Sequence, residues 1–366
     1  MKLLRIFGWT VAGIAALVVC FTTVMFGYRS HVQGQNEDLA KIQSPAGIQE
    51  AKYIRIGGID QWVTIRGENR KNPVLLFLHG GPGIPLYPVA YDILQPLEKN
   101  FTIVQWDQRG AGRTFARNRK MPKSALTLKR LEADTVELIE ILREELGKDK
   151  IGLVAASAGS GFGIRVAKHR PDLLYAYVGV GQLIGIDEAD ELLYGFVMRR
   201  AQETENQDAL QELRAIGKPP FKDIAESTVA RRWLTEFSPP SEKSFNSTWN
   251  LLSAMAVAPG YSIGDIRDII SGSEFSLDAL YNDYRTTDAR KLGRDFEVPL
   301  IFIQGDQDYL TPTLLVEQYV GWVRAPYKRV LILRNGGHSA SVALPRQFIP
   351  MLERVVHPLG ATSPQM

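Results

Sequence analysis

Hydrophobic residues cluster in short runs that alternate with longer amphipathic or polar stretches over most of the chain. Six of these runs are apolar at nearly every position, and they lie at residues 74–78, 102–106, 151–155, 175–180, 300–304 and 330–333. Strands buried on both faces of a parallel sheet have this composition. The pattern therefore predicts an α/β protein built on a mostly parallel sheet.

Two other patterns accompany the buried runs. Residues 53–56 and 61–65 alternate apolar and polar positions around a Gly-Gly pair, which predicts an antiparallel lead-in hairpin. Residues 128–146 carry apolar side chains at spacings of three and four, with Thr127 as the N-cap and Gly147 as the C-terminal stop. This second pattern predicts a helix that crosses over between two strands and packs on the sheet.

The alternation is interrupted once, over residues 187–285. This segment carries helical patterns and two Pro-Pro pairs, without a convincing strand pattern. Because α/β sheets bind ligands at the carboxyl edge of their strands, a helical insertion here is expected to cover that edge as a cap. The predicted organisation is a core in two parts, residues 51–186 and 286–366, with the cap between them.

The N-terminal segment has a different composition. Residues 6–28 are 23 residues without a charged side chain, with basic residues on both flanks. At about 1.5 Å per residue, such a helix spans the roughly 30 Å hydrocarbon core of a bilayer. We expect residues 1–29 to be an uncleaved signal anchor, followed by a polar linker over residues 30–50. A cleaved signal peptide and a soluble core helix are the alternatives.

The charges beside this segment predict its orientation. Lys2, Arg5 and the amino terminus lie on the short side, whereas acidic residues soon follow Arg29 on the other side. The positive-inside rule then leaves the short tail in the cytoplasm. The expectation is a single-pass membrane protein that contacts the lipid bilayer through residues 6–28 and carries its folded domain outside the cytoplasm.

Composition narrows the classes of function. The chain is 45% apolar and 23% charged, with a net charge of +3 and no long run of one sign. A nucleic-acid binder that depends on phosphate contacts is therefore not expected. A single cysteine excludes an intrachain disulfide and cysteine-rich metal sites, and five histidines without H-E-x-x-H spacing predict neither a metal nor a cofactor.

A serine between small residues is the first candidate for chemistry. The run IGLVAASAGSG places Ser157 between a predicted strand and a predicted helix. A nucleophilic serine on such a strained turn needs small residues two positions away on each side, which here are Ala155 and Gly159. Because the pattern is A-x-S-x-G and not G-x-S-x-G, an ordinary strand-to-helix turn stays open. Ser160 is a poorer candidate because Phe162 beside it is bulky.

Two later stretches offer the base and the acid that a serine nucleophile needs. Strand 300–304 is followed by G-D-Q-D, in which Asp308 is favoured over Asp306, and His338 follows a Gly-Gly pair after the last strand. The chain order serine, acid, histidine is one of those known for such triads. We expect Ser157 to be the nucleophile, His338 the base and Asp308 its orienting acid, with a surface turn as the alternative for either acid.

A glycine-rich stretch, HGGPG at residues 79–83, follows the first buried run. Glycines let backbone N–H groups approach a developing oxyanion, and we expect the donors to be the N–H groups of Gly81 and Ala158. A phosphate-binding loop competes, but no G-K-[ST] or G-x-G-x-x-G pattern accompanies the stretch. His79 is expected to hold the loop by hydrogen bonds, and residues 107–112 to form a structural turn beneath the site.

Together these motifs resemble the proline iminopeptidase branch of the α/β-hydrolase superfamily. The resemblance rests on HGGPG, WDQRGAG, the serine of the strand-to-helix turn (the nucleophile elbow), G-D-Q-D and G-G-H. It covers roughly residues 50–355. It implies the α/β-hydrolase fold with an eight-stranded sheet, and the triad and oxyanion donors named above. Two features differ: that branch usually has Gly-x-Ser-Trp-Gly-Gly at the elbow, and its cap glutamates that grip a substrate's amino terminus have no assigned counterpart here.

The predicted function is a membrane-anchored serine hydrolase that forms an acyl-enzyme from a small molecule or short peptide. An N-terminal prolyl or other aminoacyl group is the specific expectation, and a carboxylic ester or lactone is the alternative. A haloalkane or epoxide hydrolase would need an aspartate at position 157. A catalytically silent, membrane-tethered binding protein is the third class, because the elbow is irregular.

The cap contributes candidate substrate contacts. Acids that follow the sixth strand are candidates to bind a substrate ammonium group, although acids at a helix start are commonly solvated; they are Glu188, Asp190 and Glu191. Aromatic residues of the cap are expected in part to cover the triad and in part to form the cap's own core; they are Trp233, Phe237, Trp249, Tyr261, Tyr281 and Tyr284.

Overall fold

One eight-stranded sheet forms the centre of the described part of the chain. The computed structural model describes residues 2–361, and for residues 2–6, 8, 11 and 12 it describes the backbone alone. The strands are β1 (Ile48–Ile56), β2 (Ile59–Gly67), β3 (Val74–Leu78), β4 (Thr102–Asp107), β5 (Ile151–Ala156), β6 (Leu174–Val180), β7 (Leu300–Gly305) and β8 (Lys328–Leu333).

The sheet is parallel apart from its first two strands. The order is β1-β2-β4-β3-β5-β6-β7-β8, and only the β1–β2 and β2–β4 pairs are antiparallel. Strands β3 to β7 are buried at nearly every position because helices cover both faces, whereas β8 at the edge is partly exposed. The predicted mostly parallel sheet is confirmed, since each predicted buried run lies in one of these strands.

The predicted hairpin is β1 and β2. It is longer than the alternation indicated, because pairing runs from Ile48 opposite Gly67 to Ile56 opposite Ile59. The turn consists of two glycines with φ values of 55° and 78°, a region that side-chain-bearing residues rarely adopt. The hairpin therefore adds two antiparallel strands to one edge of the sheet.

Helices fill the two faces of the sheet and extend beyond it. They are α1 (Lys2–Leu39), α2 (Tyr87–Leu94), α3 (Gly112–Arg117), α4 (Leu128–Leu146), α5 (Ala158–His169), α6 (Ile186–Glu203), α7 (Gln207–Ile216), α8 (Ile224–Phe237), α9 (Pro240–Asn246), α10 (Thr248–Val257), α11 (Ile263–Arg285), α12 (Thr313–Trp322), α13 (Ala340–Ala343) and α14 (Pro345–Ala361).

Helix α4 has the predicted ends. The side chain of Thr127 accepts a hydrogen bond from the N–H of Arg130 at 3.0 Å, which is the N-cap interaction. Gly147 ends the helix in the left-handed conformation, with φ of 61°. The apolar stripe of α4 packs on the sheet in the larger hydrophobic cluster.

Helices α6 to α11 lie between β6 and β7 and fill the segment predicted as a cap. Part of this insertion has its own hydrophobic cluster, formed mainly by α6, α7 and α8. Helix α11 returns to the core, where the Tyr284 hydroxyl donates to the carbonyl of Ala158 at 2.8 Å and the Ser276 hydroxyl donates to the carbonyl of Gly110 at 2.9 Å. These bonds tie the cap to the loops at the carboxyl edge of the sheet. Residues 362–366, predicted as the end of the core, lie outside the described residues.

Helix α1 corrects the predicted polar linker. The helix does not end near Tyr28 but continues to Leu39, so residues 30–39 are helical. No proline interrupts this stretch, and its polar side chains find partners on the loop after α10. Arg29 donates to Tyr261 O at 2.6 Å, Gln33 to Ala258 O at 2.7 Å and Asn36 to Val257 O at 3.0 Å, while Glu37 accepts from the N–H of Gly260 at 2.9 Å.

The apolar part of α1 projects away from the folded body. Its described large side chains are exposed, including Phe7, Trp9, Leu17 and Phe21. Among the described helices, α1 is the one whose length and composition would allow it to cross a membrane. A signal sequence has the same composition, and the side chains of Lys2 and Arg5, on which the predicted orientation rests, lie outside the described ones.

Candidate active site

Ser157 is the single residue between β5 and α5. Its backbone has φ of 51° and ψ of −122°, a conformation that is strained for a residue with a side chain. A hydrogen bond to the sheet holds the turn in place, because the N–H of Ser157 donates to Val180 O on the neighbouring strand at 2.8 Å. The strained turn lifts the serine hydroxyl above the carboxyl edge of the sheet, as a nucleophile elbow does.

Glycines around the turn allow the backbone segments to approach one another. A Cβ at Gly159 would lie 2.7 Å from the carbonyl oxygen of His79, and a Cβ at Gly80 would lie 2.8 Å from the Cβ of Ser157. Real Cβ atoms do not approach other heavy atoms this closely. The HGGPG loop and the serine turn therefore require glycine at both positions.

Ala155 occupies the position where the usual elbow motif has glycine. Its methyl group is buried against Gly163. A side chain at position 163 would leave no room for this methyl group, because a Cβ there would lie 2.6 Å from the Cβ of Ala155. The departure from the motif is thus matched by a glycine on the facing turn of α5.

The Ser160 hydroxyl makes structural hydrogen bonds and does not belong to the triad. Its buried hydroxyl donates to the carbonyl of Ser157 at 2.6 Å and accepts from the N–H of Leu183 at 2.9 Å. Both interactions join α5 to the loop after β6. The hydroxyl does not contact the imidazole that Ser157 contacts.

The structure brings together the three residues that the sequence nominated. The hydroxyl of Ser157 lies 2.7 Å from Nε2 of His338, and Nδ1 of His338 lies 3.0 Å from Oδ2 of Asp308. Each residue follows a strand of the parallel sheet, so the three loops meet at the same edge. Asp306 is directed elsewhere, since its Oδ1 accepts from the N–H of Gly336 at 3.1 Å.

Asp308 is buried and held from several directions. Its Oδ1 accepts from the N–H groups of Leu310 and Thr311, both at 2.9 Å, and its Oδ2 accepts from the Thr311 hydroxyl at 2.8 Å. The same hydroxyl oxygen lies 3.1 Å from Nδ1 of His338. Sequence reasoning missed Thr311, although a threonine three residues after an acid is a common partner for an aspartate in a turn.

His338 has partners that define its tautomer. With Nδ1–H donating to Asp308, Nε2 is left to accept from Ser157, which is the arrangement of a general base. Burial is the largest single effect and lowers the pKa of His338, and Arg231 lowers it further, but the charge and hydrogen bond of Asp308 together with the charge of Glu242 outweigh both. The pKa of His338 is therefore above its ordinary value.

Glu242 is a cap residue beside the histidine that sequence reasoning also missed. It lies on α9, is buried, and accepts from the N–H of Ser339 through Oε1 at 3.1 Å. Its Oε2 has no hydrogen-bond partner in the described part of the chain. Burial raises the pKa of Glu242 above its ordinary value.

The HGGPG loop is held by His79, as the sequence predicted. Burial lowers the pKa of His79 to about 4, so the ring is neutral near pH 7. Its Nδ1 lies 3.0 Å from the carbonyl of Gly80, and its Nε2 accepts from the N–H of Gln108 at 3.3 Å. The imidazole thus joins this loop to the D-Q-R-G turn and does not contact Ser157.

The D-Q-R-G turn has the structural role that was expected. Arg109 donates to the buried carboxylate of Asp134 at 2.7 Å and to the carbonyl of Gly57 at 2.8 Å. Asp107 accepts from the N–H of Arg113 at 2.9 Å, and burial raises its pKa to about 7. These contacts connect the turn to α3, α4 and the hairpin.

The two nominated oxyanion donors flank the serine. Gly81, with φ of 115°, and Ala158 line the same cleft as Ser157. Ala158 is the first residue of α5, so its N–H has no acceptor within the helix and lies at the end that favours negative charge. In the described chain, neither this N–H nor that of Gly81 is used in a hydrogen bond.

A cleft of about 680 Å³, including space open to solvent, lies between this edge and the cap. Apolar side chains supply much of its wall, and the polar side chains come mainly from α6, α8 and α11. The charged groups are Asp190, Arg231 and Arg285, and the hydroxyl groups on the cap side belong to Ser227, Tyr281 and Tyr284. No cluster of His, Cys, Asp or Glu that could hold a metal ion is found among the described residues.

The predicted cap aromatics lie in several different environments. Tyr281 and Tyr284 line the cleft. Trp233 and Phe237 stack on each other with ring centroids 5.9 Å apart, and they pack against the cap's own core. Tyr261 is buried against Tyr87, and Trp249 is 76% exposed on α10.

The predicted acids are mostly paired or remote. Asp190 lines the cleft, but it accepts from Nη1 of Arg285 at 2.7 Å. Glu188 pairs with Arg290 at 2.7 Å, and Glu191 is exposed to solvent. The cleft therefore has no free carboxylate from this group of residues.

Known proteins resemble the chain over most of its length. The sequence model of a family described as the alpha/beta hydrolase fold matches residues 73–342. A protein of Bacillus subtilis (strain 168) named "Probable aminopeptidase YbaC" is 29% identical over 304 residues, which are 83% of this chain and 95% of that protein.

Solved structures share the architecture. A proline iminopeptidase-related protein from Thermus thermophilus is similar with a TM-score of 0.58 and 18% identity, over 86% of this chain and 99% of that one. A proline iminopeptidase from Mycobacterium smegmatis is similar with a TM-score of 0.60 and 13% identity, over 85% and 99% of the two chains. At these identities the likeness shows the fold.

Proposed function

Because this chain belongs to the family with the α/β-hydrolase fold, we propose that it is a serine hydrolase that works through an acyl-enzyme intermediate. The observation that carries the proposal is the hydrogen-bonded series from Ser157 Oγ to His338 Nε2 at 2.7 Å and from His338 Nδ1 to Asp308 Oδ2 at 3.0 Å. A serine hydroxyl is a weak nucleophile until an adjacent base removes its proton.

The proposed reaction has two halves. His338 takes the proton of Ser157 as the serine oxygen attacks the carbonyl carbon, and Asp308 stabilises the imidazolium that forms. The N–H groups of Gly81 and Ala158 receive the negative charge that develops on the carbonyl oxygen. The imidazolium then protonates the leaving group, which leaves an acyl group on Ser157. A water molecule, activated by the same histidine, releases the acid and restores the serine.

An aminoacyl compound or short peptide is the first candidate substrate. It is supported by the aminopeptidase name of the relative from Bacillus subtilis, which covers most of both chains. Recognition of a free amino terminus needs a carboxylate near the serine. Asp190 is the acid of the cleft, and Glu242 lies next to His338 with one unpartnered oxygen.

A carboxylic ester or lactone is the second candidate, and one observation favours it. Asp190 is bound to Arg285, and Arg231 adds a further positive charge to the same cleft. A substrate ammonium group would meet the guanidinium of Arg231 beside a carboxylate that Arg285 already binds, which opposes its binding.

A matched pair of substrates separates the two candidates. An aminoacyl naphthylamide is compared with its N-acetylated form, which lacks the positive charge. A peptidase that binds the free amine is expected to lose at least about 10²-fold in kcat/KM on acetylation, because charged partners are left unpaired. Equal values for the pair, together with faster turnover of simple esters, would reject the aminopeptidase proposal. Failure of a fluorophosphonate to label the chain would instead favour a catalytically silent binding protein.

We also propose that residues 6–28 anchor the chain in a lipid bilayer, with the hydrolase domain outside the cytoplasm. The length and exposed apolar surface of α1 support the anchor, and the basic residues that precede it support the orientation. The substrate is then expected to be a molecule that reaches the outer side of that membrane.

A further inference from the structure

Arg231 is a cation of the cleft that forms no direct ion pair in the described part of the chain, although the nearby Asp190 carboxylate favours its charged form. It lies on α8 one turn after Ser227, and both residues line the cleft that opens on Ser157. Within the described part of the chain, no group accepts a hydrogen bond from the buried Nε of Arg231, and no carboxylate forms an ion pair with its guanidinium. The other arginine of the cleft, Arg285, is bound to Asp190 at 2.7 Å and to Asp187 at 3.1 Å.

A second polar group of the cleft is also unpartnered. The hydroxyl of Tyr281, on α11, is buried and has no hydrogen-bond partner among the described residues. Tyr281 faces the same cleft as Arg231 and Ser227. Burying a donor without an acceptor is costly, and a charged donor costs more than a neutral one. Two such groups in one cleft point to a ligand group that accepts from them.

The number of charges indicates what that ligand group is. Arg231 and Arg285 contribute two positive charges to the lining, and Asp190 contributes one negative charge. Asp190 and Asp187 both bind Arg285 directly, which leaves the guanidinium of Arg231 to bind one negatively charged group of a ligand. A guanidinium presents its N–H donors in a plane that matches the two oxygens of a carboxylate. A phosphate group carries two negative charges, and the second of them would be left unbalanced beside the Asp190 carboxylate.

We propose that Arg231, together with the hydroxyl groups of Tyr281 and Ser227, binds a carboxylate group of the substrate. The inference rests on the proposed function, since it places this carboxylate in the cleft while the scissile carbonyl lies at Ser157. It restricts the substrates to acyl compounds that carry a free acid, on either the acyl or the leaving side. The arrangement assigns substrate selection to α8 and α11 of the cap.

The chain offers a matched control on the same helix. Arg232 follows Arg231, but it is directed away from the cleft and pairs with Glu212 on the surface. Arg231→Gln and Arg232→Gln remove the same charge from adjacent positions. Tyr281→Phe removes a donor without a change of charge. Because Arg231 forms no direct ion pair, Arg231→Gln loses only a longer-range attraction to Asp190 and is expected to melt within about 2 °C of the wild type.

The first experiment measures binding without turnover. Ser157 is labelled with a fluorophosphonate in the presence of glutarate, and the neutral glutaramide serves as the control ligand. Glutarate is expected to slow labelling of the wild type and of Arg232→Gln. In Arg231→Gln its apparent Kd is expected to rise by about 10- to 100-fold, as for a lost charge-assisted hydrogen bond. Tyr281→Phe is expected to raise it by about 3- to 10-fold.

The second experiment uses two pairs of esters. p-Nitrophenyl hydrogen glutarate is compared with its methyl ester, which tests a carboxylate on the acyl side. Butyrate esters of 4-hydroxybenzoate and of methyl 4-hydroxybenzoate test the leaving side. In at least one pair, the ester that carries a free carboxylate is expected to have a kcat/KM at least about 10-fold above that of the neutral ester. Arg231→Gln is expected to abolish this difference.

The outcomes separate this inference from the proposed function. If Ser157 is labelled but glutarate gives no protection and neither acid is preferred, the carboxylate site is wrong and the serine hydrolase stands. If the preference exists but persists in Arg231→Gln, or disappears equally in Arg232→Gln, Arg231 is not the binding group. If Ser157 is not labelled at all, the proposed function fails first.

Discussion

At the scale of single residues, Ser157 combines a strained backbone with a reactive contact. Its φ of 51° is maintained by glycines that let the neighbouring loops approach, and its hydroxyl meets His338. Strain of this kind persists only where the surrounding structure enforces it, and it is common at functional sites. The serine turn is therefore the feature on which activity is expected to depend most.

Ser157→Ala is expected to lower kcat by roughly 10⁴- to 10⁶-fold, because the members of a triad act as a unit. Steady-state kinetics on an activated ester measures the loss, and mass spectrometry after fluorophosphonate labelling places the adduct. Ser160→Ala is the comparison, since its hydroxyl is bonded to Ser157 O and Leu183 N and not to His338. An adduct on Ser160, or full activity of Ser157→Ala, would contradict the assignment.

The acid limb of the pH profile reports on His338. The base must be neutral to accept the serine proton, so kcat/KM is expected to fall as the pH decreases through the pKa of His338. That pKa is raised, with Asp308 and then Glu242 among the causes. Glu242→Gln removes one negative charge beside the imidazolium, so the midpoint is expected to move to lower pH. Glu140→Gln, at an exposed pair with Arg170, is the control; an equal shift, or none in Glu242→Gln, would reject the coupling.

Residues of the site differ in how well the sequence predicted them. Ser157, Asp308 and His338 each follow a buried strand within a recognisable local motif, so their positions could be predicted together. Thr311 follows Asp308 in a local pattern that could have been recognised, whereas Glu242 and Arg231 have no such motif and reach the site only through the way helices α8 and α9 pack. Hydrophobic patterns predict that a helix exists, but they do not fix which of its polar side chains faces a cleft.

At the scale of elements, patterns with strong local signals gave accurate predictions. The buried runs became strands β3 to β8, and the Thr127 and Gly147 caps ended α4 as expected. The end of α1 was predicted wrongly, because residues 30–39 are polar and no longer carry the apolar pattern. Their helix is stabilised by tertiary bonds to the loop after α10, which a local pattern does not contain.

The buried ion pair beneath the site joins three elements. Asp134 on α4 is fully buried and accepts from Arg109 at 2.7 Å, from Gln61 at 3.0 Å and from Arg130 at 2.7 Å. Asp134→Asn would leave the buried Arg109 without its charge partner. The free energy of unfolding is expected to fall by about 3 to 5 kcal/mol, which urea denaturation followed by circular dichroism measures.

A surface pair provides the comparison for that variant. Asp295 and Arg324 form an ion pair in which both side chains are about two-thirds exposed, at 66% and 68%. Asp295→Asn is expected to leave the urea midpoint unchanged, because exposed pairs contribute little. A loss of stability in Asp134→Asn no larger than that of Asp295→Asn would show that the buried pair is not what holds these elements.

At the scale of the whole molecule, the apolar helix is attached to the cap and not only to the core. Arg29, Gln33 and Asn36 bond to the loop between α10 and α11, and α11 carries Tyr281 and Tyr284 at the cleft. One continuous series of packed elements therefore links the predicted membrane span to the roof of the candidate site. The cap is expected to have a fixed position relative to the membrane surface.

The membrane arrangement gives the last prediction. A reporter enzyme that is active only outside the cytoplasm, fused after Met366 of the full chain, is expected to be active, because the basic residues before the apolar segment favour the cytoplasmic side. The fusion is expected in the membrane fraction, to stay there at high salt, and to be released by detergent, since burial of about 20 apolar residues holds it. Replacing Leu17 and Val18 by arginine is expected to move the fusion to the soluble fraction. Trp249→Arg removes an exposed aromatic side chain of α10 and tests whether the cap by itself binds lipid. Strong activity of a cytoplasm-only reporter at the same position, or a soluble intact chain without detergent, would contradict the proposed anchor.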